Sequence, residues 1–129
     1  KIDGPTFGDR FTDVEYVRRP GAYALITNSL GELALVGELS RFFFPGGGSE
    51  SGESLEQTLI RELKEELAWE VIVGDVLGTA IQYIVADGGI HYELRPTYFL
   101  ATQIGSLDDT AQNSPIWRSP YSASQILHR

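Results

Sequence analysis

Residues 46–69 read GGGSESGESLEQTLIRELKEELAW. From Ser54 to Leu67 the apolar residues Leu59, Leu63 and Leu67 recur every fourth position, with Ile60 beside them, so one stripe of a helix is apolar. Ser54 and Gln57 form a capping-box pair at its start, each side chain placed to satisfy the other's backbone N–H. A helix over 54–67 follows. Glu62, Glu65 and Glu66 stand at i, i+3 and i+4 and cover about a third of its circumference. They border the leucine stripe. Such a cluster repels itself by about 0.2–0.5 kcal/mol per exposed pair, and a hard divalent cation reverses the sign. Taken alone, several glutamates on a helix describe a solvated face, and Arg61 and Lys64 offset part of the repulsion. The preceding Pro45-Gly46-Gly47-Gly48 changes the balance, because backbone without side chains can come close to a ligand. Arg61 lies two helical turns from Glu53, so the pair can tie this loop to the helix while Arg61 fixes the neighbouring glutamates.

Outward from this segment, residues 14–17 (VEYV) alternate as a short strand, interrupted by Arg18-Arg19-Pro20-Gly21. A second strand over 22–27 turns through Asn28-Ser-Leu-Gly-Glu32 into a hairpin arm at 33–36. Phe42-Phe43-Phe44 reads as a buried strand halted by the glycine run. After the helix, strands are expected at 71–73, 76–85 and 91–104, with Asp87-Gly88-Gly89 as a hairpin turn. Residues 106–115 read as polar loop and 116–118 as a last short strand. Ser119-Pro120 starts a second helix over 121–128, cut off by the end of the chain. Strands, helix, strands, helix make a mixed α+β or α/β/α layered domain.

Composition bounds the function. One hundred and twenty-nine residues with 42% hydrophobic and 22% charged suit one globular domain over 1–129 and exclude a disordered tail. No apolar run approaches 18 residues, and the opening KIDGPTFGDR has no signal-peptide core, so no membrane span is expected. The lack of any Met suggests a sequence that begins inside a longer one. With no cysteine and two histidines, a metal must be held by oxygen, which points to Mg²⁺, Mn²⁺ or Ca²⁺. The absence of thiols permits a reducing cytoplasm, the expected location. A net charge of −8 repels polyanions, so polymeric nucleic acid and anionic membranes are poor partners. A small anion neutralised by a divalent cation is not excluded.

The segment resembles the Nudix box, G-x5-E-x7-R-E-U-x-E-E-x-G-U with U aliphatic. Gly47, Glu53, Arg61, Glu62, Leu63, Glu65 and Glu66 fall in place; chance agreement there is on the order of 10⁻⁷ per starting point. Ala68 and Trp69 depart from the pattern, standing where the family has Gly and an aliphatic residue. A glycine there would end the helix in the left-handed region, and alanine in the same geometry costs roughly 1 kcal/mol.

The resemblance implies an α/β/α sandwich around a mixed sheet, with the box as loop–helix–loop. It implies hydrolysis of a diphosphate bond in a nucleoside diphosphate linked to another group, with Mg²⁺ or Mn²⁺ as cofactor. It also implies Glu62, Glu65, Glu66 and the carbonyl of Gly46 as metal ligands, with Glu53 and Arg61 holding the scaffold. The cations would neutralise the phosphoryl oxygens and lower the pKa of a bound water. Its proton would pass to a glutamate of the cluster, or to Glu93, Asp108 or Asp109. His91, Arg41 and Arg95 are weaker candidates for contact with the substrate, as are the rings of Tyr83, Tyr92 and Tyr98. The alternatives are a non-catalytic module that binds a nucleotide or ADP-ribose, and an interaction domain whose acidic face does no chemistry. Homodimers are common in families of this kind, and the sequence carries no decisive interface signal.

Overall fold

The computed structural model describes residues 4–38, 41–107, 111–119 and 126–127. The elements run β1 (Thr6–Phe7), β2 (Val17–Leu25), β3 (Leu33–Glu38), β4 (Arg41–Phe43), β5 (Gly46–Gly48), α1 (Leu55–Leu67), β6 (Trp69–Thr79), β7 (Ile81–Val85), β8 (His91–Ser106), β9 (Ile116–Arg118) and β10 (Ile126–Leu127).

β8 is the spine of a mixed sheet. β2 runs parallel to it from the Val17–Tyr92 pair to the Leu25–Leu100 pair, and β5 is antiparallel to β2 on the far side. The other edge of β8 is shared in tandem by β7 and β6, both antiparallel, and β1 adds parallel to β7. The expected single strand over 76–85 therefore breaks at Ala80, whose N–H donates to the Pro96 carbonyl at 3.0 Å. A second sheet has the order β10-β4-β3-β9. It touches the end of β2 through a bridge between Thr27 and Leu33.

Three further expectations are overturned. In place of strands at 14–17 and 22–27 separated by Arg18-Arg19-Pro20-Gly21, one strand, β2, begins at Val17 and runs through those four residues to Leu25. Within a strand, a residue's nitrogen and carbonyl point to the same side, and the Pro20 carbonyl accepts from Ser49, just past β5. The missing N–H of Pro20 thus faces Ser49 at the end of the short β5 edge, so one terminal ladder bond is forfeited and the pairing of β2 with β8 is untouched. The glycine run is likewise not a turn: Gly46–Gly48 is an edge strand in register with Gly21–Tyr23. Finally, of the helix expected over 121–128, residues 121–125 and 128 lie outside the described residues. Ile126 and Leu127 are strand, pairing parallel with Phe42 and Phe43, where backbone hydrogen bonds to an open edge replace the helical ladder.

Helix α1 forms as its sequence dictates. Ser54 and Gln57 make the reciprocal capping box. Leu59, Leu63 and Leu67 are buried against Ala22 and Ala24 of β2, Phe99 and Ala101 of β8, and Trp69 and Val71 of β6. The two alanines let the helix lie close to the sheet. Because strand side chains alternate, Arg19, Gly21, Tyr23 and Leu25 then face away from α1. Ala68 closes the helix at φ 55°, ψ 36° and is the one non-glycine residue with positive φ among those described. Trp69, in place of an aliphatic residue, is buried and stacks on Trp117 with ring centroids 5.8 Å apart.

Candidate active site

Beside the leucine stripe runs a second stripe, Thr58, Glu62 and Glu66, also four residues apart, and it zips the helix onto β5 and the residue after it. The Thr58 hydroxyl is 2.7 Å from the Ser49 hydroxyl. The Glu62 carboxylate lies over Gly47, where a Cβ would come within 2.5 Å of it. Glu66, only 6% exposed, accepts the Gly46 N–H at 2.8 Å. Gly46 itself has φ 141°, and a Cβ there would meet the Ala22 carbonyl at 2.1 Å. Two glycines are therefore required for different reasons, one by space in front of a carboxylate and the other by backbone as well. Thr58 was not among the residues singled out from the sequence, although its spacing of four from Glu62 was there to be read. Fully buried, it also donates to the Ser54 carbonyl and bonds Glu53.

Arg61 is the hub. Its Nε and Nη2 donate to the two Glu53 oxygens at 2.6 and 3.0 Å, a bidentate pair, and Nη2 also donates to the Gly48 carbonyl at 3.0 Å. Nη1 donates to Glu62 at 2.9 Å and lies 3.3 Å from Glu65. The Arg61 guanidinium brings the Glu53 carboxyl down to about 2, helped by the Glu50 backbone. Glu62 moves the other way: burial raises its pKa, and the charges of Glu66 and Glu65 add to that against the pull of Arg61. Four carboxylates, Glu50, Glu53, Glu62 and Glu65, lie within 4.0 Å of this one guanidinium. The negative charge is left under-neutralised.

That surplus, and donors that are all oxygen, suit a hard divalent cation. The helix and β5 bring Glu62, Glu66 and Gly46 together, with Glu65 on the more exposed side. Among the described residues no three acidic side chains converge as a ready-made cage, so a cation would draw Glu62 and Glu65 from Arg61.

The outer candidates are placed differently. Glu93 is buried and gripped by Arg95 Nε at 2.6 Å and Arg18 Nε at 3.0 Å, which lower its pKa, Arg95 foremost. Its carboxylate clamps β2 to β8, and Arg95 is spent on the same clamp. Asp108 and Asp109 lie outside the described residues. Their flanks are tied to the end of α1: Leu107, Gln112 and Asn113 donate N–H to the carbonyls of Ala68, Glu65 and Glu66. His91 sits edge-on to Tyr16, which also meets Tyr83, and its Nδ1 is buried without a hydrogen bond. Arg41 lies over Phe43 and Arg19 over Tyr92, while Tyr98 packs on Tyr23 and Phe44.

The family model described as the NUDIX domain matches residues 17–116. The chain belongs to the Nudix family. Several solved structures share the fold. A NUDIX hydrolase from Nitrosomonas europaea is 20% identical, with 84% of this chain and 76% of that one covered and a TM-score of 0.64. The MutT protein from Methanosarcina mazei is 21% identical over 85% and 83%, at 0.66. An ADP-ribose pyrophosphatase from Streptococcus suis is 18% identical over 78% and 73%, at 0.56. No curated protein matches the chain. Membership makes this Nudix chain a pyrophosphohydrolase by class and bears out the layered α/β fold around a mixed sheet, though α1 is the one helix among the described residues. None of its helices there is long and apolar enough to cross a membrane.

Proposed function

We propose that this protein is a Mg²⁺- or Mn²⁺-dependent hydrolase of a diphosphate bond in a nucleoside diphosphate linked to another group. The observation that carries the reading is the zipper: Glu62, held by Arg61, and Glu66 face a glycine strand whose backbone a phosphate can approach. Glu62, Glu65, Glu66 and the Gly46 carbonyl would hold the cation, which when bound supplies charge neutralisation and Lewis acidity at the phosphoryl oxygens. Arg61 and Glu53 would keep the loop and helix in register, which holds the carboxylate-bearing face of α1 against the glycine strand. A carboxylate of the cluster, or of the 107–113 loop, takes the proton of the attacking water. Water adds to one phosphorus, the bridging P–O bond breaks, and the bridging oxygen leaves on the other phosphate. Retention of all three box glutamates favours catalysis over simple nucleotide binding. One domain acting in the cytoplasm on a small-molecule substrate is part of the same proposal.

The test is a product-release screen with Mg²⁺ over nucleoside triphosphates, dinucleotides, nucleotide sugars and ADP-ribose, run beside Glu65→Gln and Glu66→Gln. Turnover should fall by about 100-fold or more in at least one variant. Full turnover in both would overturn the mechanism.

A further inference from the structure

The two positions that depart from the Nudix pattern, Ala68 and Trp69, meet at the end of α1 that carries Glu65 and Glu66. The last carbonyls of a helix have no intrahelical donor. At this end they are served from elsewhere in the chain. The Ala68 N–H reaches back to the Lys64 carbonyl at 3.0 Å, while Gln112 donates to the Glu65 carbonyl at 3.2 Å and Asn113 to the Glu66 carbonyl at 2.8 Å. Leu107 closes the turn, donating to the Ala68 carbonyl at 2.7 Å. Glu66 is therefore held twice, by its carbonyl through Asn113 and by its carboxylate through the Gly46 N–H.

Gln112 and Asn113 lie in an exposed segment. A backbone bond open to water adds little by itself, so such a tie lasts only where the chain is anchored nearby. The anchor is Trp117. It stands four residues after Asn113, at most about 14 Å of chain, and Pro115 narrows the conformations of that link. Its strand, β9, is only three residues long and pairs with Leu33, Ala34 and Leu35 of β3. The indole ring supplies a second hold, stacked on that of Trp69 with the planes 28° apart. Trp69 is buried and directly follows Ala68, so a ring fixed at 69 also fixes the left-handed turn at 68. An aliphatic side chain at 69, as in the family pattern, would offer no face to stack on.

We infer that Trp69 and Trp117 are positioning residues for the carboxylate end of α1. Their stack pins the 111–117 segment against the last helical turn, Asn113 holds the Glu66 carbonyl, and the Glu66 carboxylate is thereby kept on Gly46. Without the stack the segment lifts, the carbonyls of Glu65 and Glu66 turn to water, and the last turn frays with its two carboxylates. For the reaction, the consequence rests on Glu65 and Glu66 being cation ligands, as proposed above. A carboxylate that must first be ordered binds a cation more weakly.

The chain has two tryptophans, both in the stack, so an exciton couplet in far-UV circular dichroism reports it directly. Glu66 is read without any metal by amide exchange of Gly46. The reference is Ala24, whose N–H donates to the neighbouring Pro45 carbonyl and not to Glu66. In Trp117→Leu, Gly46 exchange should quicken about tenfold relative to Ala24. Mn²⁺, followed as the free ion by electron paramagnetic resonance, should bind at least about fivefold more weakly. Trp117→Phe keeps a ring against Trp69 and should stay within about twofold of wild type in both measurements. Asn113→Pro removes the donor to Glu66 and no core side chain, so it should repeat both losses with the couplet intact. It decides the matter should Trp117→Leu fail to fold. Gly46 quickening no more than Ala24 in either variant, Mn²⁺ affinity unmoved, or a wild type without the couplet would overturn the proposal. A wild type that binds no Mn²⁺ would sink the metal-dependent reading, while selective quickening at Gly46 would still support the positioning role.

Discussion

Ala68 holds a backbone conformation that its Cβ opposes, at φ 55° and ψ 36°, where the Nudix pattern has glycine. The left-handed penalty of an L-residue is about 1–2 kcal/mol, and glycine gives some of it back through its looser unfolded chain. Ala68→Gly should therefore stabilise the protein by about 1 kcal/mol and raise Tm by about 4 °C, measured by thermal denaturation. No gain would mean that Cβ contacts of this buried residue compensate. Glu53 allows a second check at this scale. Its carboxyl titrates at about 2 when folded, against 4.5 ordinarily, because Arg61 binds the ionised form. A depressed folded value stabilises above the unfolded pKa, so the contribution is whole above pH 4.5 and fades as pH falls toward 2. Denaturant midpoints of wild type and Glu53→Gln should differ at pH 6 and converge between pH 4.5 and 2. A gap independent of pH would remove Arg61–Glu53 as the acid-sensitive tie.

At the scale of elements, the contact that matters is helix against glycine strand. A methyl at Gly47 would meet the Glu62 carboxylate, the far end of a flexible side chain, so Gly47→Ala is accommodated by swinging Glu62 off the strand. The cost in stability should be small, about 1 kcal/mol, while Mg²⁺-dependent turnover falls about 10- to 100-fold. Parallel Tm and kcat measurements separate the two; equal loss of both would make Gly47 a packing residue only. The leucine stripe, the capping box and the Glu62–Glu65–Glu66 edge were legible because helical geometry alone fixes them. The role of Gly46–Gly48 was not, because three glycines carry no side-chain period and read as a turn. Their strand exists through the partner supplied by Gly21–Tyr23, a tertiary fact. The same holds for Pro20, a strand breaker by local rule that is tolerated because its nitrogen faces the end of the β5 edge at Ser49 and not β8. Glu93 looked like a candidate base because the sequence does not reveal that Arg18 of the neighbouring strand joins Arg95 of its own strand on it.

For the whole molecule, the net charge of −8 and the carboxylates crowded around Arg61 should make folding sensitive to divalent cations under the proposed function. A cation that binds the native state alone adds RT ln(1 + [L]/Kd), about 2.7 kcal/mol at a concentration of 100 Kd. For a chain of this length that amounts to a rise in Tm of roughly 8–10 °C. General screening of an acidic surface would also raise Tm, so the comparison is made at constant ionic strength against Na⁺. Site binding and screening part company in the variants. Glu65→Gln and Glu66→Gln each remove one charge of many and should barely alter screening, yet each removes a proposed ligand. Gln at position 66 keeps an oxygen for the Gly46 N–H, so the helix–strand zipper should survive. The Mn²⁺-induced shift should drop by more than half in both variants while their Tm in Na⁺ stays within about 3 °C of wild type. A shift of equal size in wild type and both variants would assign it to the acidic surface as a whole and leave the carboxylate edge without its cation.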